Sequence, residues 1–359
     1  MNKLLLVDGS SLLNSQYFGN IPMSLRNAKD LRKKAKTEEE IENANKEIEN
    51  AYKDLLQTST GIYTNGVYGF IKYLIAAVKV INPTHLVVTW DVTRDTFRRT
   101  MMPSYKGNRG VVENPLKQQF KTCQDLLSQM GIKQFFSTEY ESDDYCGSIV
   151  KKFENDSNIY ILTKDHDFFQ LVSENTNILL MCNTLKISDG LNKKHGINSK
   201  EIPQKTFLVN KETLLNEYGL KPETVTFVKG IAGDTADNIP GIPNIGDTTA
   251  LSLSKLYSTI EELYNAIDGK TDKELDEIVN IWKSNGIKRN PLKYLTAENV
   301  FTNNEESLSA KEIGLLSEKL ATIKTDIEVS DSMDELIFNY DKELFKDSLA
   351  KYEITSIKL

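Results

Sequence analysis

Cysteine is scarce in this 359-residue chain, and its three copies, Cys123, Cys146 and Cys182, lie far apart without a CxxC pair. A disulfide framework and a cysteine-based zinc site are thereby excluded, and a reducing cytoplasm is the expected setting. No apolar run approaches the roughly 20 residues needed to span a bilayer, so no membrane partner is expected. The apolar stretch of MNKLLLVDGS stops at Asp8, too soon for a signal peptide. An excess of positive charge is missing as well. With 44 Lys and Arg against 51 Asp and Glu the formal charge is −7, which argues against a generic basic nucleic-acid coat and leaves local patches open. Internal repeats are absent. What remains is 39% hydrophobic and 26% charged, the balance of a globular chain with ample core, and the length suggests two domains at about 150 residues each.

Three short, almost continuously apolar runs, at residues 3–7, 85–90 and 159–163, read as strands buried on both faces of a parallel sheet. Helical patterns fall between them at 66–80, 115–130 and 143–153, so right-handed crossovers and an α/β layered core are predicted. Beyond about residue 210 strand signals fade into short helices separated by Gly and Pro. Residues 22–60 read as an inserted helix or helical hairpin, because Ile41, Ala44, Ile48, Ala51 and Leu55 recur every three or four positions. Residues 183–208 are polar and read as a loop-like hairpin connection.

Chemistry concentrates at the strand ends. The first run ends in Asp8, the second in Asp91, and the third is followed by Asp165 and Asp167. A single Asp after a strand is ordinarily a turn former or helix cap. Three such endings in parallel strands would instead deliver carboxylates to the edge where open α/β sheets bind ligands. Glu141, Asp143 and Asp144 open a helix, where acids also serve as caps, and Asp234 and Asp237 stand three apart before a Gly- and Pro-rich turn. So many acids can converge only if neutralised, and without His or Cys among them a hard cation such as Mg²⁺ or Mn²⁺ fits better than zinc. A pair of such ions can clamp a phosphodiester. Between Arg94 and Arg109 the chain carries a local net charge of +4, with Phe97 and Tyr105 interleaved, a composition suited to phosphate contact and base stacking. Gly241 and Gly246 bracket Ile-Pro-Asn-Ile, as in the tight turn of a helix-hairpin-helix that grips phosphate through backbone N–H groups.

Taken together, LLLVDGSSL, NGVYGF, PTHLVVTWD, TFRRTMMPSYKGNRG, ESDDYCGSIV, ILTKDHDFFQLV, GIAGDTADNIPGIPNIGDTTA and LATIKTDIEV resemble, in order and at compatible spacing, the 5′-nuclease family. That family comprises the 5′→3′ exonuclease domain of bacterial DNA polymerase I, its free-standing bacterial and phage relatives and, more distantly, the flap endonucleases. The resemblance implies a PIN-like parallel-sheet core over residues 1–218, with the insertion at about 20–62 and a helical arch at about 93–116. A helix-hairpin-helix subdomain at 219–300 and a C-terminal helical region at 301–359 would follow. It implies a metal site of Asp8, Asp91, Glu141, Asp143, Asp144, Asp165, Asp167, Asp234 and Asp237 for two Mg²⁺ ions, with Mn²⁺ as substitute. Lys106 and Arg98 become the catalytic cations, while Tyr68, Arg94, Arg99, Tyr105, Arg109, Gly241 and Gly246 become DNA contacts. A K⁺ ion would bind carbonyls of Ile231, Ala232, Pro240, Ile242 and Ile245. Where the family usually has glycine, Lys164 precedes Asp165 in this chain.

The activity implied is metal-dependent 5′→3′ exonuclease and 5′-flap endonuclease action on DNA with single-stranded 5′ ends, or on RNA primers, in replication or repair. A monomer working beside a separate DNA polymerase is expected, as the chain ends without one. The insertion follows the Asp8 strand and is expected to meet the 5′ flap or a partner protein. Two other readings stand beside this one: a catalytically silent DNA-junction binder, and a Mg²⁺-dependent phosphatase for small metabolites, which would have no use for the basic arch.

Overall fold

The structure is a computed structural model that describes residues 2–303 and 306–359. Five parallel strands, β1 (Asn2–Asp8), β2 (His85–Asp91), β3 (Lys133–Ser137), β4 (Ser157–Thr163) and β5 (Thr176–Met181), are joined by an antiparallel edge strand β6 (Thr206–Val209) in the order β3-β2-β1-β4-β5-β6. Because successive side chains point to opposite faces, the apolar run of β1 feeds two cores at once. Leu5 and Val7 pack in one, and Leu4 and Leu6 in the other. Such two-faced burial is why the sequence pattern was continuous rather than alternating.

The first face is covered by α1 (Gly9–Gly19), α4 (Asn65–Ile81) and α6 (Asn114–Gln129). The inserted segment forms a hairpin of α2 (Met23–Lys34) and α3 (Glu38–Ala51), which touches this core through Leu25, Ala51 and Tyr52. Between β2 and α6 runs a loop containing only one short helix, α5 (Phe97–Met101). The second face is covered by α7 (Ser142–Phe153) and the helical turn at His166–Leu171.

The expected loop at 183–208 contains α8 (Leu185–Lys194) as well as β6. The fully buried residues of α8 are Ser188 and Asn192, and only the half-buried Leu191 packs against the second core while Leu185 and Ile187 face solvent, so its apolar spacing is a weak signal. Strands β3 and β5 lie outside the three apolar runs of the sequence. The first is a half-buried edge, KQFFS, and the second is only six residues long.

After α9 (Lys211–Tyr218), helices α10 (Val225–Ala232), α11 (Asp247–Leu253), α12 (Ile260–Ile267), α13 (Asp272–Ser284) and α14 (Leu292–Leu295) build a separate core around Phe227, Ile231 and Trp282. A small hairpin of β7 (Phe301–Asn303) and β8 (Glu306–Leu308) leads into α15 (Ala310–Ala321), which packs along α10 and closes that core with Ala310 and Ile313. From there the chain returns to the α/β layers. Ile323, Val329 and Leu336 enter the second face, and Phe345 and Leu349 of α16 (Lys342–Ala350) enter the first. Among the described residues no helix is long and apolar enough to cross a membrane.

Candidate active site

Asp8 is both the last residue of β1 and the N-cap of α1, its carboxylate accepting the Ser11 N–H at 3.0 Å. It is buried, and Thr163 at the end of β4 donates to its other oxygen at 2.9 Å. Burial, and after it the charges of Asp91 and Asp165, push its carboxyl up to about 7. Ser142 ties this set to the next: its N–H donates to Asp91 at 2.9 Å and its hydroxyl to Asp8 at 3.3 Å. Asp165 caps the following turn by accepting the Asp167 N–H at 2.9 Å. The carboxyl edge of the parallel strands thus gathers Asp8, Asp91 and Asp165 around one serine and one threonine hydroxyl.

The α7 acids divide their duties. Glu141 and Asp144 form a reciprocal capping box, which is the ordinary work of acids at a helix start. Asp144 is fully buried and receives a bidentate fork from Arg98, 2.7 Å on each arm, as well as the Lys324 N–H at 2.8 Å. Asp143 has no such fork. Burial raises its carboxyl well above the usual range, and the neighbouring Asp144 and Glu141 add to the rise. Burial alone would also raise Glu141, but Lys106 and Arg98 outweigh it and hold that carboxylate below its ordinary value.

Two lysines gather the remaining acids. Lys106 lies between Glu141 at 2.5 Å and Asp237 at 3.6 Å, and its backbone has φ 52°, a left-handed conformation that a lysine rarely adopts. Its backbone N–H also donates to the Asp237 carbonyl at 2.8 Å. Burial opposes the ammonium charge, yet Tyr105, Glu141 and Asp237 together lift its pKa well above the usual lysine value. Lys229 on α10 bridges Asp167 and Asp234, holding the latter below the usual carboxylate range against the effect of burial. Nothing in the sequence pattern singled out Lys229; the available signal was its position five residues before Asp234, on the helix that opens the glycine-rich turn. The hydroxyls of Ser142 and Thr163 were likewise missed, although both lie inside the motifs. Among the described residues, no three His, Cys, Asp or Glu side chains form a ready metal cage.

The basic loop departs from expectation. Arg98 was expected to face substrate, but it is 1% exposed, and beyond Asp144 it donates to the carbonyls of Leu320 and Thr322 at 3.0 and 2.9 Å. It clamps α5 to α7 and to the end of α15. Tyr105 is 2% exposed and packs with Met102, Ile239 and Leu320, so its ring is closed to a stacking base. Arg94 braces the loop through the Arg109 and Gly110 carbonyls, Arg99 pairs with Asp95 at 2.9 Å, and Arg109 pairs with Asp237 while remaining 44% exposed. Tyr68 on α4 is half-buried with Lys72 over its ring.

In the turn between α10 and α11, Gly241 has φ +63°, and a Cβ there would lie 2.2 Å from the Gly233 nitrogen, so only glycine fits. Gly246 caps α11 with open space around it. Of the carbonyls expected to hold K⁺, that of Ile231 accepts the Ile242 N–H at 2.8 Å and that of Ile242 accepts the Ile245 N–H at 3.2 Å.

Comparison with known proteins gives a consistent picture. A family model described as 5′-3′ exonuclease, N-terminal resolvase-like domain, matches residues 43–206, and one described as 5′-3′ exonuclease, C-terminal SAM fold, matches 220–343. A 5′-3′ exonuclease of Halalkalibacterium halodurans is 30% identical over 302 residues, covering 83% of this chain and 84% of that protein. One from Bacillus subtilis is 26% identical over 357 residues, covering 99% and 95%. DNA polymerase I of Bacillus subtilis is 29% identical over 299 residues, which is 82% of this chain but 29% of the polymerase. A solved structure described as "Divalent metal ions (zinc) bound to T5 5′-exonuclease" superposes with a TM-score of 0.53 at 16% identity, covering 97% of this chain and 98% of that one, and so shares the fold.

Proposed function

The chain belongs to the 5′-3′ exonuclease family, and from that premise we propose that it hydrolyses DNA phosphodiesters at free 5′ ends and 5′ flaps, leaving 5′-phosphate and 3′-hydroxyl products. The observation that carries this reading is the set of strand-end carboxylates, Asp8, Asp91 and Asp165 with Asp143 close by, buried or half-buried together except for the exposed Asp91. Burial raises the Asp8 carboxyl to about 7 and the charges of Asp91 and Asp165 add to the rise, a repulsion that hard divalent cations would relieve. Two Mg²⁺ ions, with Mn²⁺ as substitute, are the cofactors we infer; when bound they supply an activated water and neutralise the leaving oxygen.

Asp8, Asp91, Asp143 and Asp165 would hold these ions directly. Glu141, Asp167, Asp234 and Asp237 would join when their lysines turn to the phosphate. Lys106 stays protonated at neutral pH, so it serves as a fixed cation for charge developing on the phosphate rather than as a base. Arg98 and Asp144 act at one remove, positioning the loop and the α7 terminus. The α10–α11 turn, with Gly241 and Gly246, offers backbone N–H groups to duplex phosphates, and a K⁺ ion on its carbonyls belongs to the same proposal. Arg109 and Tyr68 remain available to DNA, and Arg94 and Arg99 shape the loop. Primer and flap removal, on DNA or RNA 5′ strands beside a separate polymerase, is the role this chemistry suits, and a monomer in the cytoplasm suffices for it.

The test is cleavage of a 5′-labelled flap duplex with Mg²⁺. Short 5′ fragments released at the junction, and lost both in EDTA and in Asp167→Ala, are the expected result. Cleavage that persists in EDTA, or at wild-type rate in Asp167→Ala, would overturn the assignment.

A further inference from the structure

A cleft of about 550 Å³ adjoins the carboxylate edge, a size ordinary for a ligand site. Ser11, which lines it, is the residue whose N–H Asp8 caps, and Lys164, also in its wall, directly precedes Asp165. In a chain of net charge −7, no acid is among the described residues that line the cleft, and the charged ones among them are Lys164 and Lys205.

Neutral groups hold the ammonium of the first lysine and the backbone of the second. The Lys164 ammonium donates to the Asn183 side chain at 2.7 Å. Lys205 is held at φ 59°, its carbonyl accepting the Cys182 N–H at 2.6 Å, while the preceding Gln204 carbonyl accepts the Tyr73 hydroxyl at 2.9 Å. Phe18, 46% exposed, stands in the same wall with the Lys29 ammonium 5.1 Å above its ring. Two exposed cations, amide groups around them and a half-exposed aromatic edge are groups that hold a phosphate and its base without reading sequence.

We propose that this cleft is a nucleotide subsite, taking a phosphate-bearing nucleotide of the DNA next to the one being cut. It rests on the exonuclease reading. The phosphate can come from the single-stranded 5′ arm or from a duplex strand across the junction, and the experiment separates the two.

The probe is built in. Cys182 lines the cleft and is half-buried, whereas Cys123 and Cys146 are both 0% exposed, so a maleimide reports on the cleft alone. With Ca²⁺ in place of Mg²⁺ to keep DNA intact, saturating flap duplex is expected to slow Cys182 alkylation severalfold. A duplex without the flap and a free single strand, each at saturation, then show which arm protects it.

In the same buffer Lys205→Asn, which keeps a residue tolerant of the left-handed backbone, and Lys164→Gln should each weaken DNA binding and reduce the salt dependence of binding by about one counter-ion. Cys182 reacting at its free rate while flap DNA is fully bound overturns the subsite and leaves the nuclease reading standing. A salt dependence unchanged in both variants does the same. Failure of any DNA to bind would overturn the nuclease reading itself.

Discussion

Asp8 shows how one side chain serves structure and chemistry together. As the N-cap of α1 it is held by Ser11 and Thr163, yet its burial beside Asp91 and Asp165 raises its pKa from 3.8 to about 7. A carboxyl whose native pKa lies above its unfolded value binds more protons when folded, so it costs stability as pH rises from about 4 to about 7. A rise of that size corresponds to about 4 kcal/mol at the upper bound. In EDTA, Asp8→Asn is therefore expected to melt higher than wild type at pH 8, with an advantage that begins near pH 4 and levels off above pH 7. Equal melting temperatures across that range would show that burial and the neighbouring acids do not raise the Asp8 carboxyl. Arg98 illustrates the opposite case, a buried charge whose partners are complete. Lysine cannot reproduce a fork to Asp144 together with two carbonyl contacts, and Arg98→Lys is expected to cost about 3 kcal/mol in denaturant unfolding.

At the scale of elements, the α2–α3 hairpin divides its charge unevenly. Five cations and one acid lie on α2, against six acids and one lysine on α3. Lys29 ties α2 to Glu113, the N-cap residue of α6 where the basic loop ends, and the Tyr17 hydroxyl reaches the same carboxylate at 2.8 Å. The hairpin therefore stands at the foot of that loop with Arg26, Lys33 and Lys34 exposed. Replacing these three by glutamine is expected to leave the fold intact and to weaken flap-DNA binding with a shallower salt dependence, measured by titration at several ionic strengths. An unchanged slope would assign the hairpin to some role other than DNA contact. Its existence was legible from the three-and-four spacing of small and apolar residues. Helix α8 was not, because what it fully buries is polar.

For the whole molecule, the path of the last 37 residues matters most. Having closed the helical core with α15, the chain returns to seal both faces of the sheet, and Phe338 donates its N–H to the Thr84 carbonyl at 2.9 Å beside the start of β2. Truncation after Leu336 removes the buried Phe345, Leu349 and Ile354. At roughly 1.5–3 kcal/mol for each buried apolar side chain, the loss is a large fraction of the stability of an ordinary domain. The truncated chain is expected to melt far below the intact one in a thermal scan followed by circular dichroism; an unchanged midpoint would mean that the tail is dispensable.

The sequence by itself determined the parallel core, since runs such as LLLV and HLVV bury both faces of a strand and the helical periods between them demand crossovers. It also determined that acids follow three of those strands, because a residue's place after a strand is local information. Which acids remain free of cations was decided only in three dimensions. Asp144 is occupied by an arginine 46 residues away in sequence, Asp237 by Lys106 and Arg109, and Asp167 by Lys229. Pairing energy depends on distance through space and on burial, and neither is written in the spacing of charges along the chain. The basic loop makes the same point: its +4 charge was plain in the sequence, but folding turned Arg98 and Tyr105 inward, and left Arg109 half open to solvent.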